Sequence, residues 1–126
     1  MEREEVLSKV KECLADVLNI SAQDILAESK LVEDLGADSL DFLHLIFALE
    51  QKFGVKLTPR DIEKKAKEKL GDIPLEIDGV YTKEGLAELR KAFPEIPEQE
   101  LKEGLAVEEL GKYFRVETLV NLVMRA

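Results

Sequence analysis

The segment LVEDLGADSLDFLHLIFALE, residues 31 to 50, restricts this chain more than any other. Asp38 stands where a helix N-cap belongs, because its short carboxylate can accept a backbone N–H in the first turn, and Asp41 completes a short capping box. Gly36 supplies the backbone freedom that the approach needs, and Gly54 supplies a stop. The spacing therefore predicts a helix from about Ser39 to Lys52 or Phe53. Its apolar residues form two sets: Phe42, Leu45, Ile46, Leu49 and Phe53 on one side, and Leu40, Leu43 and Phe47 on the other. The first set suits a core. A small domain has too little volume to bury a helix on every side, so the second set is a candidate contact surface, with burial under another segment as the alternative.

The remaining periodicity is also helical. Val6, Val10, Leu14 and Val17 predict a first helix over about 2–18, and Leu31, Val32 and Leu35 are expected to pin the loop that follows it. Thr58 and Pro59 mark the start of a short basic helix running to Leu70. Residues 71–81, GDIPLEIDGVY, read as a loop with some strand character. Thr82 is expected to cap a helix through Phe93, Pro97 to open a short helix to Glu103, and Val107 to Leu110 to add a turn. Val116 to Arg125 suits a final packed helix. At 126 residues the chain has the length of one domain with a real core.

Composition excludes several classes of function. A net charge of −9 disfavours nucleic acid and anionic membranes, and suits a partner with a basic docking face. No apolar run approaches the roughly 20 residues of a membrane span, and the acidic start lacks the features of a secretory signal. A cytoplasmic protein without stable membrane insertion is the expectation. One Cys and one His leave no transition-metal cluster. Cys13 lies beside the core stripe of the first helix, where a thiol behaves as a small hydrophobe. Ser39 has no base beside it in sequence, so it reads as a substrate for another enzyme and not as a nucleophile of this chain's own catalysis.

The DLGADSL motif, the ALE-x-x-F-G-V ending of the second helix and the final FRVETLVNLV resemble acyl carrier proteins, over about residues 1 to 65 and 112 to 125. That resemblance implies an all-α fold, a four-helix bundle with additional short helices inserted between the third and last bundle helices. It implies a non-enzymatic carrier in which Ser39 bears 4′-phosphopantetheine and holds an acyl chain as a thioester. The partners implied are a phosphopantetheinyl transferase and the acyl-loading and acyl-transfer enzymes of fatty acid, lipid or lipopolysaccharide synthesis. Asp38, Leu40, Asp41, Leu43, His44 and Phe47 would form the recognition surface around the arm. Phosphate on Ser39 would sit at a helix N-terminus, where free N–H groups favour anions. An aminoacyl or aryl carrier, and a helical adaptor without a prosthetic group, are the alternatives.

Two features depart from the family pattern. His44 takes a usually acidic position, and the third helix carries Arg60, Lys64, Lys65, Lys67 and Lys69. Residues 1 to 57 hold twelve acids and six bases, whereas 58 to 126 hold fifteen and twelve. The second departure is an extra segment at about 66–111, too long and too apolar at helical spacing for a linker. Leu86, Leu89, Phe93, Leu101, Leu105, Val107 and Leu110 are available for its burial. The expectation is a single domain over 1–126, a monomer, with this segment packed on the bundle.

Overall fold

The computed structural model describes residues 2–57 and 59–125. Thr58, the expected cap of the third helix, lies outside them. The chain is mostly helical: α1 is Arg3–Leu18, α2 Ser39–Phe53, α3 Pro59–Leu70, α4 Lys83–Ala92 and α5 Val116–Arg125, with strands β1, Glu76–Ile77, and β2, Val80–Tyr81. These elements fall into two compact units, Met1–Leu57 with Phe114–Ala126, and Thr58–Tyr113.

In the first unit α1 packs against both α2 and α5. The contact is written in α1 by Val6, Val10, Cys13 and Leu14, which share one face at three- and four-residue spacing and are all buried. Asn19 ends α1 in the left-handed conformation, φ 56°, and returns its N–H to the Ala15 carbonyl. α2 contributes Leu45, Ile46 and Leu49, and α5 buries Val116, Leu119, Val120, Leu122 and Val123. Fully burying each such aliphatic side chain stabilises by about 1.5–3 kcal/mol. The long loop between α1 and α2 contains a 3₁₀ turn at Ala22–Asp24, capped by Ser21. Of the three residues expected to pin this loop only Leu31 is fully buried; Leu35 is half-buried and Val32 is exposed. The backbone supplies the rest of the anchoring, since Leu31 N–H donates to Phe114, Val116 N–H to Ser29 and Glu117 N–H to Ala27.

The second unit has its own core of Leu75, Tyr81, Leu86, Leu89, Phe93, Ile96, Leu101, Leu105 and Leu110. It takes in α3, which packs against α4, together with the extra segment read from sequence at about 66–111. Residues 71–81, expected as a loop with some strand character, contain an antiparallel hairpin with Ile77 opposite Val80 and Glu76 opposite Tyr81. Asp78 and Gly79 form its turn at φ 52° and 81°, the left-handed pair that a two-residue hairpin with matching twist requires. Thr82 caps α4 as expected, its side chain accepting the Gly85 N–H. The helix stops at Ala92 because Phe93 precedes Pro94, whose ring disfavours a helical residue before it.

The helix expected from Pro97 to Glu103 is absent. Those residues form isolated turns, with Glu100 N–H donating to Pro97 and Leu101 N–H to Glu98. The Leu101 carbonyl instead accepts the Arg90 guanidinium at 2.8 Å, which fixes this stretch to α4. Val107, counted for burial, is only half-buried and opens a 3₁₀ segment that runs to Tyr113.

Candidate functional site

The start of α2 is fixed by two carboxylates acting on each other's backbone. Asp38 is extended, φ −104° and ψ −176°, and its Oδ1 accepts the Asp41 N–H at 2.8 Å. Asp41 Oδ2 accepts the Asp38 N–H at 3.2 Å, completing the capping box that the sequence predicted. The Asp38 carbonyl then takes the Phe42 N–H at 2.9 Å as the first helical bond. Ser39 is the first residue inside this helix and is exposed. The amides of Ser39 and Leu40 come before any residue with an intrahelical acceptor four positions back, so they present donors and partial positive charge beside the hydroxyl.

Upstream, Gly36 takes φ +72° with open space where a side chain would project, whereas Ala37 is buried. Gly36 therefore leaves the approach clear, and Ala37 serves as packing. Its N–H donates to the Leu31 carbonyl at 2.9 Å, and the Leu31 N–H donates to the Phe114 carbonyl at 3.0 Å. Phe114 also meets the helix itself, its ring centroid 5.7 Å from that of Phe42 and tilted by 48°. Sequence reasoning assigned Phe42 to the core and missed that it meets Phe114, two residues before the last helix. The only signal was an aromatic residue at each position; the pairing is tertiary.

Leu40, Leu43 and Phe47 recur at three- and four-residue spacing along one stripe of α2 and are 61%, 52% and 60% exposed. His44 is exposed as well. It lies five residues beyond Ser39, about 140° around the helix axis, and so does not share the serine's face. Asp38 is exposed and Asp41 half-buried. Cys13 is buried in α1, and burial pushes its thiol above the ordinary range despite the opposing pull of Lys52. Such a thiol stays protonated at neutral pH and is a poor carrier of cargo.

These residues can present a hydroxyl at an exposed helix start. Among the described residues no group of three or more His, Cys, Asp or Glu is arranged to hold a metal ion, and no helix is long and apolar enough to cross a membrane. A phosphodiester arm fits this position sterically and electrostatically. The hydroxyl is exposed at a helix start, the residue three before it leaves open space, and the cap carboxylates are occupied by backbone donors.

Residues 8–67 match the family model described as "Phosphopantetheine attachment site". Similar proteins include the acyl carrier protein of Thermotoga maritima, 45% identical over 62 residues that make up 49% of this chain and 76% of that protein. The acyl carrier protein of Nitratidesulfovibrio vulgaris is 47% identical over 64 residues, 51% of this chain and 84% of the relative. That of Wolinella succinogenes is 41% identical over 68 residues, 54% and 87%.

Proposed function

The chain belongs to the acyl carrier protein family, and from that premise we propose that Ser39 is its point of attachment for 4′-phosphopantetheine. The protein is a carrier and not an enzyme, and its prosthetic group is 4′-phosphopantetheine. When bound, that group supplies a thiol at the end of a long arm, on which an acyl chain is held as a thioester. The observation that carries the assignment is the exposed Ser39 at the first position of a capped helix, inside the matched residues 8–67. In the loading reaction the Ser39 oxygen bonds to the phosphorus next to the pantetheine. The pyrophosphate bond of coenzyme A breaks, the adenosine half leaves, and the transferase takes the hydroxyl proton.

Each neighbouring residue has a task in this reading. Asp38 and Asp41 hold the turn through their mutual cap, and the partial positive charge of the first amides favours the phosphodiester. Leu40, Leu43 and Phe47 form the apolar contact for partners, a phosphopantetheinyl transferase and acyl-handling enzymes, with His44 at its edge. Lys64, Lys65, Lys67 and Lys69 are all exposed on α3. A basic surface of that kind changes which partners are steered in, and it favours enzymes of a dedicated lipid or lipopolysaccharide pathway.

Intact mass after incubation with coenzyme A and a broad-specificity transferase tests the assignment. The chain should gain one phosphopantetheinyl group, and Ser39→Ala should gain none. A chain that gains no mass is a helical adaptor, and modification that survives Ser39→Ala moves the site elsewhere. The mass on the thiol of protein isolated from its own cell then identifies the cargo. An aminoacyl or aryl group would replace the acyl reading, and ordinary fatty acyl intermediates would remove the case for a dedicated pathway.

A further inference from the structure

Phe114 is the first residue after the second unit, and two of its contacts lead to the turn that presents Ser39. Its carbonyl accepts the Leu31 N–H at 3.0 Å, and the Leu31 carbonyl accepts the Ala37 N–H at 2.9 Å, two residues before Ser39. Its ring packs on Phe42, three residues after Ser39. The neighbouring Arg115 forms an antiparallel bridge with Lys30, and Val116 N–H donates to Ser29 at 3.0 Å, so Phe114 is held from behind. Ser39 itself is exposed and makes none of these contacts, so the turn that carries it is located by what lies on either side.

We propose that Phe114 is a positioning residue for the modification of Ser39: it holds the loop before the serine by its backbone and the helix after it by its ring. The inference rests on the assignment of Ser39 and deepens it. The transferase must find the serine oxygen in line with the phosphorus it attacks, and an error of about 1 Å in placing a reacting atom can lower a rate about 100-fold. A capping box fixes the helix start relative to α2 alone. Phe114 fixes it relative to the loop before Ser39, and it does so at the residue where the chain returns from the second unit.

The test compares the unaltered chain with Phe114→Leu, which keeps an apolar side chain in the buried site and removes the ring, and with Phe114→Ala. Transfer from coenzyme A by a broad-specificity transferase is measured together with residue-resolved amide hydrogen exchange. Phe114→Ala is expected to lower kcat about 10- to 100-fold with KM changed less than about threefold, and Phe114→Leu to fall between. The amides of Leu31, Ala37, Asp41 and Phe42 should exchange faster, while those of α1 and α5 keep their protection. Phe42→Leu added to Phe114→Leu should cost less than the two single effects combined. Unchanged kcat in both Phe114 variants overturns the proposal. So does faster exchange in α1 and α5 equal to that of the Ser39 turn, which would mark Phe114 as ordinary core. If Phe114→Ala fails to fold, Phe114→Leu decides. If the unaltered chain gains no mass, the assignment of Ser39 falls, while the exchange comparison still decides whether Phe114 holds the turn.

Discussion

An alanine at position 85 would improve α4 as a helix and damage what surrounds it. A Cβ there would collide with the backbone carbonyl oxygen of Leu75, an atom that cannot swing aside as a side-chain tip could. That carbonyl is pinned because it accepts the Thr82 N–H at 3.0 Å, and Thr82 in turn caps α4. The gain in helix propensity from Gly to Ala is about 1 kcal/mol, whereas overpacking a tight site costs about 1–3 kcal/mol and here also disturbs a cap. Gly85→Ala should therefore lower the stability of the second unit. The change is readable as a lower urea midpoint by tyrosine fluorescence, because both tyrosines, Tyr81 and Tyr113, lie in that unit. A raised midpoint would mean that the Leu75 carbonyl yields without cost. In sequence Gly85 was only a glycine inside a helical pattern, a hint of close packing with no way to name the partner. Ser39, Asp38 and Asp41 were legible by contrast, since a cap, its reciprocal partner and the residue between them depend on spacing along one stretch of chain.

At the scale of elements, what could be read tracks how far the determining contacts lie along the chain. α2 was legible from end to end because its cap, its stop at Gly54 and its buried stripe are all local. The helix expected after Pro97 does not form, and its Leu101 carbonyl instead accepts a distant group, the Arg90 guanidinium. The tie between α1 and α2 is of the same distant kind, Lys52 Nζ lying 2.9 Å from Glu12 Oε2. The hydrogen bond from Lys52 holds Glu12 below the usual carboxylate range, and the same bond raises Lys52. A lowered carboxylate pKa contributes stability above the unfolded value that is lost as pH falls through the folded one. A raised lysine pKa contributes below the unfolded value and is lost as pH rises through the folded one. The pair thus acts across the neutral range and fades at both ends. Glu12→Gln should unfold at lower urea than the unaltered chain near neutral pH, and the gap should close as pH drops below the ordinary carboxylate range. Both side chains are largely solvated, so the effect should be small and weaker in high salt. A gap that stays constant between about pH 7 and about pH 3 would show that the glutamine acts by some route other than charge.

For the molecule as a whole, the sequence pattern supplied both sets of core residues but not their division. Leu86, Leu89, Phe93, Leu101, Leu105 and Leu110 were available for burial and are buried. Periodicity shows that a face is apolar and is silent about which other face covers it, so the packing of α3 on α4 could not be read from sequence. Two cores imply two separable responses to damage. Leu14 in the first unit and Leu101 in the second are each 0% exposed, and truncating either to alanine removes about 2–5 kcal/mol of packing. Leu101→Ala should shift the tyrosine-detected transition to lower urea while the amides of α1 and α5 keep their exchange protection. Leu14→Ala should do the reverse, loosening α1 and α5 and leaving the tyrosine transition near its original midpoint. Equal shifts in both probes for both variants would falsify the division, because they would mean that the two cores melt as one cooperative body. If the responses separate, the first unit can keep presenting Ser39 while the second changes, and the second can then differ among related carriers without loss of the turn that presents Ser39.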